Sequence, residues 1–159
     1  MQDILERCRL FDGIVSEARA GMLGCLGAEQ KDYAKGSFLL REGEAADRMG
    51  VLVKGTADIL QQDYWGNRSI LARIQPGELY GEAFACAQLG SLPLSAIALE
   101  DCAVLELKGE RILRPCAAPC SRHGRLLANM LTILAEKNIA LTRKMEHLSR
   151  RSTREKLLS

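Results

Sequence analysis

Between Lys31 and Leu107 the apolar residues come in short runs, and glycine closes almost every one of them. The runs are Ser37-Phe38-Leu39-Leu40, Gly50-Val51-Leu52-Val53, Ala57-Asp58-Ile59-Leu60, Ser69-Ile70-Leu71-Ala72-Arg73-Ile74 and Cys102-Ala103-Val104-Leu105-Glu106-Leu107. The breaks are Lys35-Gly36, Glu42-Gly43, Lys54-Gly55, Trp65-Gly66-Asn67 and Gln75-Pro76-Gly77. Runs this short cannot carry a helical stripe, whereas strands of a small antiparallel barrel need only a few residues between turns. The pattern predicts a mainly β fold with flanking helices: a double-stranded β-helix, or jelly-roll barrel, followed by a long dimerisation α-helix.

Two segments depart from that texture. From Ile4 to Leu26, apolar residues at helical spacing alternate with Gly13, Gly21 and Gly24, which reads as short helices and turns. From Gly77 to Ala87 there is no strand alternation and many small residues, so a short helix is expected between strands. Its glycines could bring backbone N–H groups near an anion, although a plain turn before a helix needs glycine too.

From Ser121 to Arg151 there is no proline and only Gly124, which predicts one long helix. Leu127, Leu134, Leu141 and Leu148 recur every seventh residue, and Leu131, Asn138 and Met145 follow the first three by four. This is a heptad seam with leucine at d and Leu, Asn and Met at a. A helix folded back on its own barrel also needs an apolar stripe, but an asparagine at an a position pairs with its counterpart in a two-stranded parallel coil and sets its register. A parallel homodimer is expected.

Charge divides at the same place. Residues 1–120 hold 13 Lys/Arg against 17 Asp/Glu, while residues 121–159 hold 9 against 3. The formal charge of +2 therefore conceals an acidic body and a basic arm, the latter suited to an anionic partner such as DNA or simply to a solvated helix face. Ser152 and Glu155 have capping-box spacing ahead of Leu157-Leu158, so a new helix is expected at 152. The expected division is a barrel with N-terminal helices over 1–120, a dimer helix over 121–151, and the start of a further domain over 152–159.

Composition narrows the classes. At 159 residues and 47% apolar content, one core can close. No window approaches the roughly 20 apolar residues of a membrane span, and the start lacks the basic-then-apolar order of a secretory signal, so the cytoplasm is expected, with no membrane partner. There the six cysteines stay reduced, and none is paired as CxxC. Most are expected to pack as small hydrophobes. Cys116, Cys120 and His123 fall within eight residues at the start of the long helix and form a candidate metal or redox set, short of a fourth ligand. Only two histidines are present, His123 and His147, and the strands hold no metal-binding triad or nucleophile with a base, so no enzyme activity is expected.

The order of parts resembles the effector-sensing half of Crp/Fnr-type transcription regulators. The residues that carry the likeness are Lys35-Gly36, Glu42-Gly43, Gly55 after Val51-Leu52-Val53, Pro76-Gly77-Glu78-Leu79-Tyr80-Gly81-Glu82, and Thr153-Arg154-Glu155-Lys156-Leu157-Leu158. The resemblance implies a helix-turn-helix DNA reader beyond the chain. It also implies a ligand cassette at Gly81, Glu82 and Ala83, closing at Leu94, Ser95 and Ala96. In nucleotide-binding members an arginine precedes the Ser-Ala pair. Here Leu94 stands in its place, and no Arg or Lys lies between Glu82 and Glu100. A guanidinium gives a phosphate both charge and paired donors, so its loss argues against cAMP or cGMP as effector. Where relatives read adenine with hydroxyl residues, this chain has Ala140, Leu141 and Thr142. Glu82 is expected to cap the short helix or to meet a ligand hydroxyl. The effector remains an unknown small molecule or a metal or redox signal, and a pure interaction module is the alternative.

Overall fold

The computed structural model describes residues 2–14, 16–114 and 121–158. It opens with helix α1 (Gln2–Arg7), a 3₁₀ turn (Arg9–Phe11) and helix α2 (Ser16–Cys25). Eight strands follow: β1 (Glu29–Tyr33), β2 (Phe38–Leu40), β3 (Arg48–Lys54), β4 (Ala57–Gln62), β5 (Arg68–Ile74), β6 (Leu79–Tyr80), β7 (Ser95–Ala98) and β8 (Cys102–Lys108). Helix α3 (Glu82–Ala87) is inserted between β6 and β7; α4 (Gly109–Leu113) and the long α5 (Ser121–Leu158) close the chain.

The strands form two four-stranded antiparallel sheets, ordered β1-β8-β3-β6 and β2-β7-β4-β5. Every apolar run read as a strand is one. Three strands escape that reading: β6 is two residues long and lies near the start of the 77–87 segment read as a helix, while β1 and β7 escape for opposite reasons. Glu29-Gln30-Lys31-Asp32-Tyr33 is polar because β1 is an edge strand paired only with β8, and β7 is a row of small residues whose Ala96 and Ala98 are buried between the sheets.

Two apolar clusters result. Leu39, Leu40, Leu52, Ala96, Ala98 and Val104 meet between the sheets. Met49, Val51, Leu105 and Leu107, on the opposite face of β3 and β8, pack with Leu10, Phe11 and Leu26 of the N-terminal segment and with Leu126, Met130 and Ile133 of α5. Strand β3 is buried on both faces, so its run shows no alternation. Gly50 sits inside β3 with ordinary strand geometry, and what requires glycine there is space: a Cβ would collide with the Tyr80 ring, which lies directly over the bare backbone.

Side chains clip α5 to the N-terminal segment. Asn129 Nδ2 donates to the Leu10 and Asp12 carbonyls, each at 2.8 Å, satisfying the end of the 3₁₀ turn, and Arg9 forms a two-pronged pair with Glu136. Helix α5 runs unbroken past Ser152, which corrects the expected restart: an N-cap must leave helical geometry, and the surrounding Arg, Glu, Lys and Leu all favour continuing it. No described helix is long and apolar enough to cross a membrane.

Candidate functional site

Gly81, Ser95 and Ala96 gather around the end of β2. Gly81 has φ 74°, and a Cβ there would lie 3.1 Å from Leu40 Cδ1, so only glycine lets the chain turn into α3 against β2. Ala96 pairs with Leu40 in register, and the Ser95 hydroxyl accepts from the Glu42 backbone N–H at 2.9 Å. Gly81, Glu82 and Ala96 are buried, Leu94 and Ser95 half-buried, and Ala83 exposed. Ala96 packs in one buried apolar cluster with Leu40, Leu52, Tyr80 and Leu92.

Glu82 does not cap α3. The cap position is Gly81, with no side-chain capping bond, and Glu82 is the first helical residue. Its carboxylate, only 6% exposed, instead accepts from the Lys137 ammonium of α5. Lys137 was not singled out from the sequence, yet the signal is there: it follows Leu126, Met130 and Ile133 on the face of α5 turned to the barrel. A charge on such a face requires a partner.

A second charged group was also missed. Glu106 lies on the inner face of β8 with Val104 and Cys102 and is buried. It accepts from the Tyr33 hydroxyl at 2.7 Å, and Lys31 Nζ and Arg48 Nε each lie 3.4 Å from it. Burial first, then the bond to Glu106, pushes the Tyr33 phenol up to about 12. The neighbouring Tyr80 phenol is raised too, chiefly by burial, and its hydroxyl has no partner among the described residues. A cavity of about 550 Å³ opens over this end of the roll, bordered by Lys31, Arg48, Gln88 and Glu106.

A separate cleft of about 390 Å³ lies between α1, the β5–β6 turn and α5. It holds Arg7, Arg9 and Lys137 above a floor that includes Leu79, Ile133 and Ala140.

Cys116 and Cys120 lie outside the described residues. His123, the third member of that set, is buried, and its Nε2 donates to the Ile112 carbonyl at 2.8 Å, docking α5 onto α4. Cys102 is a buried thiol that donates to the Thr56 and Glu100 carbonyls, and burial pushes Cys8 up to about 11. Cys86 is half-buried, and Cys25 is exposed, an exception to the expected packing role. No group of three or more metal-ligating side chains occurs among the described residues.

Along the expected seam, Leu131, Asn138, Leu141, Met145 and Leu148 are exposed. Leu127 and Leu134 are half-buried against the helical cluster. The stripe used within the chain, at 126, 130 and 133, is therefore offset from the heptad seam.

Residues 30–118 match the cyclic nucleotide-binding domain family. Among characterised proteins, the chain is 28% identical over 82 residues to the CRP-like cAMP-activated global transcriptional regulator of Mycobacterium tuberculosis, which spans 52% of this chain and 36% of that protein. The chain thus spans about a third of that relative. The fold is similar to the Thermus thermophilus catabolite activator protein, with a TM-score of 0.74, 24% identity, and coverage of 89% of this chain and 63% of that one. It is also similar to the N-terminal domain of a transcriptional regulator from Streptomyces coelicolor A3(2), with a TM-score of 0.67, 25% identity, and coverage of 87% and 96%. The match covers more than half of the residues and includes all eight strands but the first residue of β1. The chain belongs to the cyclic nucleotide-binding domain family.

Proposed function

We propose that this chain is the effector-sensing and dimerisation part of a cytoplasmic Crp/Fnr-type transcription regulator, and that its effector is not cAMP or cGMP. The observation that carries this reading is the state of the cassette: Leu94 stands at the arginine position, and the one carboxylate of the cassette, Glu82, is held by Lys137. A cyclic phosphate placed at Gly81 and Ser95 has no cation from this segment, since no Arg or Lys lies between Glu82 and Glu100. Losing a bidentate pair of charge-assisted bonds, each worth about 1.5–3 kcal/mol, weakens binding by two orders of magnitude or more. In addition, a ribose hydroxyl must displace an ammonium from Glu82.

The exposed Leu131–Leu148 row supports dimerisation through α5, and the regulator relatives support DNA as the partner of a reader outside this chain. Sensing then means that an effector binds one placement of α5 against the barrel better than another. The domain is read as non-catalytic. Isothermal titration with cAMP and cGMP tests the effector reading. No saturable heat below millimolar nucleotide is expected; micromolar, stoichiometric binding of either would overturn it.

A further inference from the structure

The cleft between α1, the β5–β6 turn and α5 has the chemistry of a small-ligand site. Its volume of about 390 Å³ lies within the range of such sites, roughly 300–1,000 Å³. Three cations face it. Arg9 is matched by Glu136, and Lys137 by Glu82. Arg7, in the last turn of α1, is exposed and has no ion-pair partner among the described residues. Its stem lies against the β5–β6 turn, where a Cβ on Gly77 would come 3.7 Å from Arg7 Cβ. Of the acidic residues on the walls, Glu136 is taken by Arg9, and Glu78 accepts from the Gln75 backbone N–H at 3.1 Å. Below the charges the floor is apolar, with Leu79 and Ile133 buried.

We propose that this cleft binds a small amphipathic carboxylate, its head group received by Arg7 and Lys137 and its tail lying on Leu79, Ile133 and Ala140. The proposal deepens the sensor reading above and rests on it, because it names a ligand class and a way for that ligand to act. A carboxylate drawn to Lys137 competes with Glu82 for the same ammonium, and the two anions repel one another. Binding therefore loosens the tie between α3 and α5, the two elements whose relative placement a sensor of this kind has to change.

The test is calorimetric titration of the 159-residue chain with octanoate, and with octylamine as a tail of opposite charge. One saturable octanoate site per chain is expected, with no binding of octylamine. Arg7→Gln and Lys137→Met should each weaken octanoate by about tenfold or more, the loss of one charge-assisted contact. Glu82→Gln should tighten it, since the competing anion is gone. Absence of a saturable octanoate site, equal affinity for octylamine, or unchanged affinity in both Arg7→Gln and Lys137→Met would overturn the proposal. Cyclic-nucleotide titration of the same preparation separates the two readings: tight cAMP binding strikes at the effector reading, missing octanoate binding at this cleft alone.

Discussion

Lys137 of α5 donates to the carboxylate of Glu82 in α3, across 55 residues of chain, with the acid 6% exposed and the lysine 50% exposed. The two partners are therefore unequal. Without the lysine, a buried carboxylate loses its counter-ion; without the carboxylate, a half-exposed ammonium turns to water.

Lys137→Met should accordingly destabilise the chain by about 1–2 kcal/mol, below the 3–5 kcal/mol of a fully buried pair because solvent screens the exposed lysine. Glu82→Gln should cost less than half as much. Urea unfolding of both variants checks the order, and a larger loss in Glu82→Gln would show that the pair is not what holds the carboxylate.

Gly50 faces the Tyr80 ring so closely that no side chain fits. Gly50→Ala should cost about 3 kcal/mol by overpacking, the upper end of such changes, because the ring is fully buried and has nowhere to move. Pairing it with Tyr80→Leu should recover part of the loss. Thermal unfolding of the single and double variants decides this, and strictly additive losses would contradict the contact.

Alkaline stability follows from Tyr33 and Cys8. Folding raises the phenol from 10.0 to about 12 and the thiol from 9.0 to about 11. Each group favours the folded state while protonated, so its contribution is whole below its unfolded value and is lost as pH rises through its folded value. Stability should hold up to about pH 9 and fall between 9 and 12. Tyr33→Phe should flatten the upper part of that fall and Cys8→Ala the lower. Unfolding midpoints measured across this range test it; an equally steep fall in both variants would exclude these groups as its source.

The α5 seam makes a prediction about mass. Leu141 is 60% exposed and belongs to neither of the two apolar clusters. Leu141→Asp should convert a dimer to a monomer in sedimentation equilibrium without loss of helix or strand signal. Asn138→Leu should keep the association but admit other registers or higher oligomers, since the polar pair that selects two strands is gone. A wild-type monomer, or a dimer indifferent to both changes, would remove the seam.

Strands, turns, the short helix after Gly81 and the long helix from Ser121 were legible because each rests on residues near one another in sequence: glycine at breaks, apolar runs, heptads. That no Arg or Lys lies between Glu82 and Glu100 was legible directly. Strand β1 was not, because an edge strand can be polar throughout. Nor was the continuity of α5 through Ser152, because a capping-box pattern is only a local permission, and the helix overrode it. The charged partners were hidden more deeply. Lys137 and Glu106 show in the sequence only as charges on otherwise inward-facing positions, which says that each needs a partner and not which one.

The sequence by itself determined the roll, its helical insert, the long helix α5 and the lack of any Arg or Lys between Glu82 and Glu100. Only the tertiary structure decided that Glu82 meets Lys137, that Glu106 meets Tyr33, Lys31 and Arg48, and that Arg7 shares a cleft with α5. The reason is physical. Strand, turn and helix preferences are set by bonds and contacts within a few residues, whereas the partner of a charge is whatever group the folded path carries within hydrogen-bond reach: 55 residues away for the buried Glu82, and 127 for the exposed Arg9–Glu136 pair that closes the same cleft.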